Sequence, residues 1–292
     1  MKIFFHIALC CLCLFAACIP EPVDIDIEQA EPRLVVSSQM LNENLVLINV
    51  SRSFGALEFS EQEEDSLSDD FLAQILADSA RVVLTHNGLS DTLPGIGQGF
   101  YLSFNTELVE NELYQLAVYD SATGLEVFSE SQVLRPAVWD SLAYEFQLET
   151  FSLFDTSFND TTLQLRVRFE DFSDENYYML NAYRLSQTDQ TRNNFLLGQE
   201  GPPTFIYTDQ LYTAPLITDT LTYRDFRPGD TVAFALSHIS RGYYEYLSTR
   251  ERSGTSIFAN LLREPVNFPS NVEGGYGFFN LHIPRIQVRI LE

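Results

Sequence analysis

The chain has 292 residues, 45% of them hydrophobic, with 41 acids against 17 bases and a formal net charge of −24. That length suits one large domain or two ordinary ones, and so acidic a surface repels nucleic acid and anionic membranes, both of which need basic patches. All four cysteines (Cys10, Cys11, Cys13 and Cys18) lie at the start, so the rest has no thiol for a disulfide, a thiolate nucleophile or a zinc–thiolate site.

Lys2 precedes an apolar run from Ile3 to Leu14, and Leu14-Phe15-Ala16-Ala17-Cys18 follows. The run is short of the ~20 apolar residues that span a bilayer. A charged start, an apolar core and a small-residue cleavage site make residues 1–17 a secretory signal. Cys18 behind Ala16-Ala17 predicts acylation of the new N-terminus, with Phe15 in place of the more usual Leu as the one departure. Two or more acyl chains anchor stably, at ~0.8 kcal/mol per buried methylene. The plainer alternative is a secreted chain whose Cys18 is incidental. Residues 18–32, with Pro20, Pro22 and Pro32, read as an acidic tether of roughly 40 Å reach at ~3.3 Å per residue. Within it Val23, Ile25 and Ile27 alternate with Asp24 and Asp26, the pattern of a short strand.

Short Phe-, Tyr- and Val-rich runs punctuated by Asn, Asp, Ser and Thr predict a mostly β protein. Residues 33–134 give about seven strands: Arg33–Gln39, Leu45–Arg52, Arg81–Thr85, Gly99–Asn105, Leu113–Tyr119, Val127–Leu134 and a partner for the Asn87-Gly88 hairpin turn. That spacing fits an immunoglobulin-like sandwich without the Cys-Trp-Cys core of antibody domains. Tyr114 is either a tyrosine-corner residue or an ordinary aromatic of the core. An acid-rich insertion at 61–78 ends in a short helix over Ser68–Asp78. Arg135-Pro136 marks a boundary, and residues 135–292 form a second β-rich domain. There Thr162–Glu170 alternates most cleanly, with Leu163, Leu165, Val167 and Phe169 on one face. Further strands are expected at Asn176–Ser186, Asp230–Ser237 and Ile286–Leu291, with a helix over Ser240–Ser253 that carries Tyr243, Tyr244 and Leu247 as a stripe and stops at Gly254.

Chemistry is sparse. His86, His238 and His282 are far apart in sequence and no His-Glu-x-x-His spacing exists. No Gly-x-Ser-x-Gly elbow appears, and Gly95, Gly97 and Gly99 lack the Lys-Ser/Thr of a phosphate loop, so they read as a flexible loop into a strand. Glu63, Glu64, Asp65, Asp69 and Asp70 offer oxygens to calcium, yet without the spaced ligand–glycine pattern they read first as a solvated loop. No catalytic, cofactor-binding or metal-binding residue is assigned, and the chain is expected not to be an enzyme.

Near the end, Arg263-Glu264-Pro265-Val266-Asn267-Phe268-Pro269-Ser270-Asn271-Val272-Glu273-Gly274-Gly275-Tyr276-Gly277-Phe278-Phe279 resembles the closing signature of a Bacteroidetes outer-membrane lipoprotein family, domain of unknown function 4249. Cys18 with acids behind it, Arg33-Leu34-Val35-Val36, the Arg135-Pro136 and Asp140-Ser141 junction, and Asn176-Tyr177-Tyr178 fit the same family. The resemblance implies a lipid-anchored, surface-facing outer-membrane protein working with a TonB-dependent receptor, and no known reaction. A surface adhesin, or a glycan- or protein-binding module independent of a transporter, is the alternative. By itself the stretch, Pro269, Ser270, Asn271, Gly274, Gly275, Tyr276 and Gly277 among its residues, reads as a structural motif: Pro269 and Gly274-Gly275 force turns, Asn271 satisfies backbone locally, and Tyr276, Phe278 and Phe279 plug an apolar region. It is expected to lock the second domain shut.

Overall fold

A computed structural model describes residues 31–53, 69–104, 106–153, 156–185, 204–212, 215–253 and 267–292. The signal, Cys18, nearly all of the tether, the acids Glu63–Asp65 and residues 254–266 lie outside the described residues.

In the first half the strands are β1 (Leu34–Asn42), β2 (Leu45–Arg52), β3 (Ala80–His86), β4 (Leu89–Leu93), β5 (Gly95–Gly97), β6 (Phe100–Ser103), β7 (Leu113–Asp120) and β8 (Glu126–Gln132), with helix α1 at Asp69–Ile75. One sheet runs β1-β2-β6-β5 and the other β8-β7-β3-β4, all antiparallel. Their inner faces meet in one core that includes Val36, Val46, Ile48, Val82, Leu116 and Val118. The expected sandwich is therefore present. Asn87 and Gly88 both have positive φ, 50° and 76°, as a two-residue hairpin turn of the primed type requires. The glycine-rich stretch expected as a loop instead forms β5, an irregular edge strand on β6. Helix α1 is shorter than expected, because Leu76 bridges to Ser51 of β2 immediately after it.

Tyr114 is a tyrosine corner. Its side chain is buried, its hydroxyl donates to Glu107 O (2.8 Å) and accepts from Val109 N (3.0 Å), and so it ties β7 to the loop that leads into it. Arg52 holds the insertion to the sandwich. Its Nε donates to the fully buried Asp120 carboxylate (2.6 Å) and its Nη1 to Gln74 O and Leu76 O, both 2.9 Å, at the end of α1. Burial raises the Asp120 pKa, but bonds from Arg52, Thr123 and Ala122 outweigh it and hold the carboxyl below its ordinary range.

The second half contains β9 (Trp139–Leu153), β10 (Thr156–Glu170), β11 (Tyr177–Arg184), β12 (Thr204–Thr208), β13 (Leu216–Tyr223), β14 (Thr231–Ile239), helix α2 (Arg241–Ser253), β15 (Val272–Glu273), β16 (Tyr276–Phe278) and β17 (Arg285–Ile290). Sheets β9-β10-β13 and β12-β11-β14-β17 pack as a second sandwich. Leu163, Leu165, Val167 and Phe169 are all fully buried in it, while Arg166 and Arg168 on the other face pair with Glu145 and Asp140.

The two sandwiches share one strand order. Setting aside the edge strand β5 and the short strands β15 and β16, the first, second and fifth strands of each half make one sheet, and the fourth, third, sixth and seventh make the other. No sequence repeat announces this, because the order depends on where apolar alternation falls and on no particular residue. One correction concerns the boundary. β15 and β16, expected inside a contiguous domain of residues 135–292, belong to the sheets of the first sandwich. Chain order did not decide their place; the open edges of β1 and β8 did.

Candidate functional site

The stretch from Pro269 to Phe279 leaves the second sandwich between β14 and β17 and closes the first. β15 pairs with β8 (Val272 opposite Ser129), and β16 runs parallel to β1 (Val35 opposite Tyr276, Val36 opposite Gly277). Gly274-Gly275 carries the chain from one sheet to the other, so a single hairpin plugs the seam where both sheets end. The lock expected from the sequence exists, but it shuts the first sandwich, not the second.

Close backbone approach explains the glycines. A Cβ on Gly275 would overlap Leu34 O and crowd Val127, and one on Gly277, whose φ is +101°, would overlap the Val36 carbonyl. Asn271 acts as a piece of backbone. Its Oδ1 accepts from Phe279 N (2.8 Å), and its Nδ2 donates to Phe279 O (2.7 Å) and Glu130 O (3.0 Å). Ser129 Oγ donates to Asn271 O (2.8 Å), and Ser270 Oγ accepts from Val272 N (3.2 Å). Pro269 is half-buried at the entry. Phe279, fully buried, joins Val272 and Leu281 in the first core. Phe278 points the other way and meets Tyr243 and Tyr246 of α2, with ring centroids 5.5 and 5.6 Å apart. Tyr276 does not plug anything: it is 46% exposed, with the Arg33 guanidinium 5.3 Å from its ring centre.

Beyond the plug the chain crosses between hydroxyls of both sheets. Asn280 N donates to Ser38 Oγ (2.7 Å), which donates back to Asn280 O (2.9 Å), and Leu281 N donates to Ser131 Oγ (2.8 Å). Asn280 Oδ1 accepts from Ser240 Oγ (3.2 Å), the residue that caps α2 through Tyr243 N. Asn280 Nδ2 donates to Nδ1 of His282 (3.1 Å), whose burial pushes its pKa down to about 4. On the facing side, His238 Nδ1 meets Arg135 O (2.9 Å), and its ring lies against Phe172 and Tyr178. Burial lowers the His238 pKa as well, against the backbone bond to Arg135. Burial also raises Asp171, which accepts from Tyr178 (3.2 Å). These shifted groups join strands across the middle of the molecule: they are held by neighbours and positioned as structure.

His86 stacks on Tyr114 (4.1 Å between centroids) with Nε2 3.6 Å from Glu112. It lines an open hollow of about 280 Å³ with Leu84, Asp91, Glu107 and Val109. Among the described residues no three His, Cys, Asp or Glu side chains stand close enough to hold a metal, and no helix is long and apolar enough to cross a membrane. Sequence reasoning found the plug by its glycines but missed Ser38, Ser131 and Asn280. For Ser38 and Ser131 the only signal is a polar residue at an inward position of an alternating strand; Asn280 lies outside any strand and gives none.

A family model described as "Domain of unknown function (DUF4249)" matches residues 20–282. No curated protein matches the chain. Among solved structures it is similar to "Crystal structure of chicken CNTN1 FN1-FN3 domains", with 11% identity over 92% of this chain and 70% of that one, at a TM-score of 0.25. A superposition that loose adds nothing to the strand order described above.

Proposed function

We propose that this chain, which belongs to the family of domain of unknown function 4249, is a surface lipoprotein of the outer membrane, held by lipid on Cys18. It is a non-enzymatic accessory of a TonB-dependent receptor in nutrient uptake. The single observation that carries the reading is Leu14-Phe15-Ala16-Ala17-Cys18 at the end of an apolar run. The body suits such a post. The tether leads into β1, and β1 is hydrogen-bonded on both sides, by β2 and by β16, so a pull on the anchor meets a clamped strand. The test is twofold. Globomycin is expected to block processing, and Cys18→Ala to release the protein from the membrane fraction; unaltered processing and retention would contradict the anchor. Mild detergent is expected to co-purify a β-barrel receptor, and its consistent absence would contradict the partnership.

One observation favours a second reading, an adhesive module independent of any transporter. Tyr119 and Phe128 stand diagonally on neighbouring strands β7 and β8, 46% and 48% exposed, and Leu113 is exposed on the same face. Paired exposed rings are what a sugar or protein surface stacks on. Saturable binding to a glycan array without the receptor, lost in Phe128→Ala, would favour this reading over the first.

A further inference from the structure

β17 ends its sheet: β14 pairs with one edge, and no described strand pairs with the other. Trp139 Nε1 donates to Arg285 O and Tyr144 Oη to Ile290 O, which holds only the two ends of that edge. On one face Ile286, Val288 and Ile290 are 40%, 48% and 62% exposed. On the other, Arg285, Gln287 and Arg289 alternate with them. Edge strands are commonly blunted by charges, by proline or by a bulge; β17 contains no proline and no bulge, and its charges, Arg285 and Arg289, must be answered by any strand that pairs with it. It is also a basic, aliphatic strand on a chain of net charge −24, so its complement is acidic and aliphatic.

That complement is written in the tether. Val23-Asp24-Ile25-Asp26-Ile27-Glu28 alternates with the same period and lies outside the described residues. An antiparallel register with Asp24 opposite Arg289 sets Asp26 opposite Gln287 and Glu28 opposite Arg285. It also sets Val23, Ile25 and Ile27 opposite Ile290, Val288 and Ile286. A slip of one residue would face every acid with an aliphatic. A chain's own tether is too short for this. Arg33 lies beside Tyr276 at the start of β1, whereas Arg285 touches Glu43 just past its end. The strand between is roughly 26 Å long, and the five residues from Glu28 to Arg33 reach at most roughly 17 Å.

We propose that residues 23–28 of one copy add as a strand to the β17 edge of a second copy, reciprocally, to form a dimer by exchange of arms. The inference needs no lipid. In sedimentation velocity the lipid-free chain of residues 19–292 is expected to pass from monomer to dimer as concentration rises. Ile25→Asp and Val288→Asp are each expected to abolish the dimer while leaving the urea-unfolding midpoint of the monomer unchanged. Arg289→Asp is expected to weaken association by roughly tenfold, and Asp24→Arg in the same chain to restore it. A monomer at every concentration would overturn the proposal. So would a dimer that survives Ile25→Asp, because β17 would then be meeting another β17 or a different surface.

Discussion

The two sandwiches have the same strand order and close differently. The second is pinned by its own side chains: Trp139 Nε1 reaches Arg285 O, and the Tyr144 hydroxyl reaches Ile290 O, at the two ends of the β17 edge. The first borrows a hairpin from the second, more than a hundred residues after its own last strand, and places it across both open edges. What this teaches is that the halves are unequal partners. The second supplies its own seam, while the first depends on a segment that exists only when the second has put it in reach. Substitutions in the plug should therefore read out in the first sandwich and spare the second.

Gly277→Val is expected to have the largest effect, more than about 4 kcal/mol, since it forces both an overlap with Val36 and a strained backbone. Hydrogen exchange should show protection lost in β1 and β8 and kept in β10 and β14. Equal loss in both halves would erase the asymmetry.

Acid should act on the same seam. His282 has a folded pKa of about 4, below its ordinary value near 6.5. The unfolded chain therefore takes up the proton first, and stability falls as pH drops from about 6.5 to about 4. The full cost is about 3 kcal/mol, and His238, also lowered, acts with the same sign. Asp120, held low, loses its contribution only below about pH 4. Urea unfolding measured against pH should show this slope, and His282→Gln should flatten it. A slope unchanged by that substitution would remove His282 from the account.

Asn271→Ala strips Phe279 N and O and Glu130 O of their side-chain partner, and is expected to cost about 2 kcal/mol in thermal or urea unfolding. Asn271→Asp should recover none of the loss, because the carboxylate oxygen that replaces Nδ2 would face the carbonyl oxygens of Phe279 and Glu130. Tyr114→Phe removes the corner's two hydrogen bonds and keeps the ring, so about 1 kcal/mol is expected, confined to the first sandwich. An effect larger than that of Asn271→Ala would mean that the corner, and not the plug, governs this half.

Much of the fold was legible because alternation is local. Leu163, Leu165, Val167 and Phe169 stand on one face whatever the rest of the chain does, and Asn87-Gly88 permits little but a tight turn. The helix from Arg241 was legible through its tyrosine stripe and the Ser240 cap. β9 was legible by the same rule and still missed, since Leu142, Tyr144 and Phe146 alternate with Ala143, Glu145 and Gln147; β5 was missed because three glycines resemble a loop. The plug's glycines marked it as structural, yet nothing local says which sandwich they serve. That choice is made by the unpaired edges of β1 and β8, a property of the assembled sheets. Ser38 and Ser131 were invisible because each is polar at an inward strand position, and Asn280 because it lies in the connection after β16.

The plug's address is best tested by a cross-link. Val35 and Tyr276 are partners across β1 and β16, and the chain beyond Cys18 has no other thiol. In a chain of residues 19–292 carrying Val35→Cys and Tyr276→Cys, mild oxidation is predicted to form one intramolecular disulfide, seen as faster migration on a non-reducing gel and no free thiol. Two thiols that stay reactive in the folded protein, or pair only between molecules, would contradict the placement of this hairpin against the first strand.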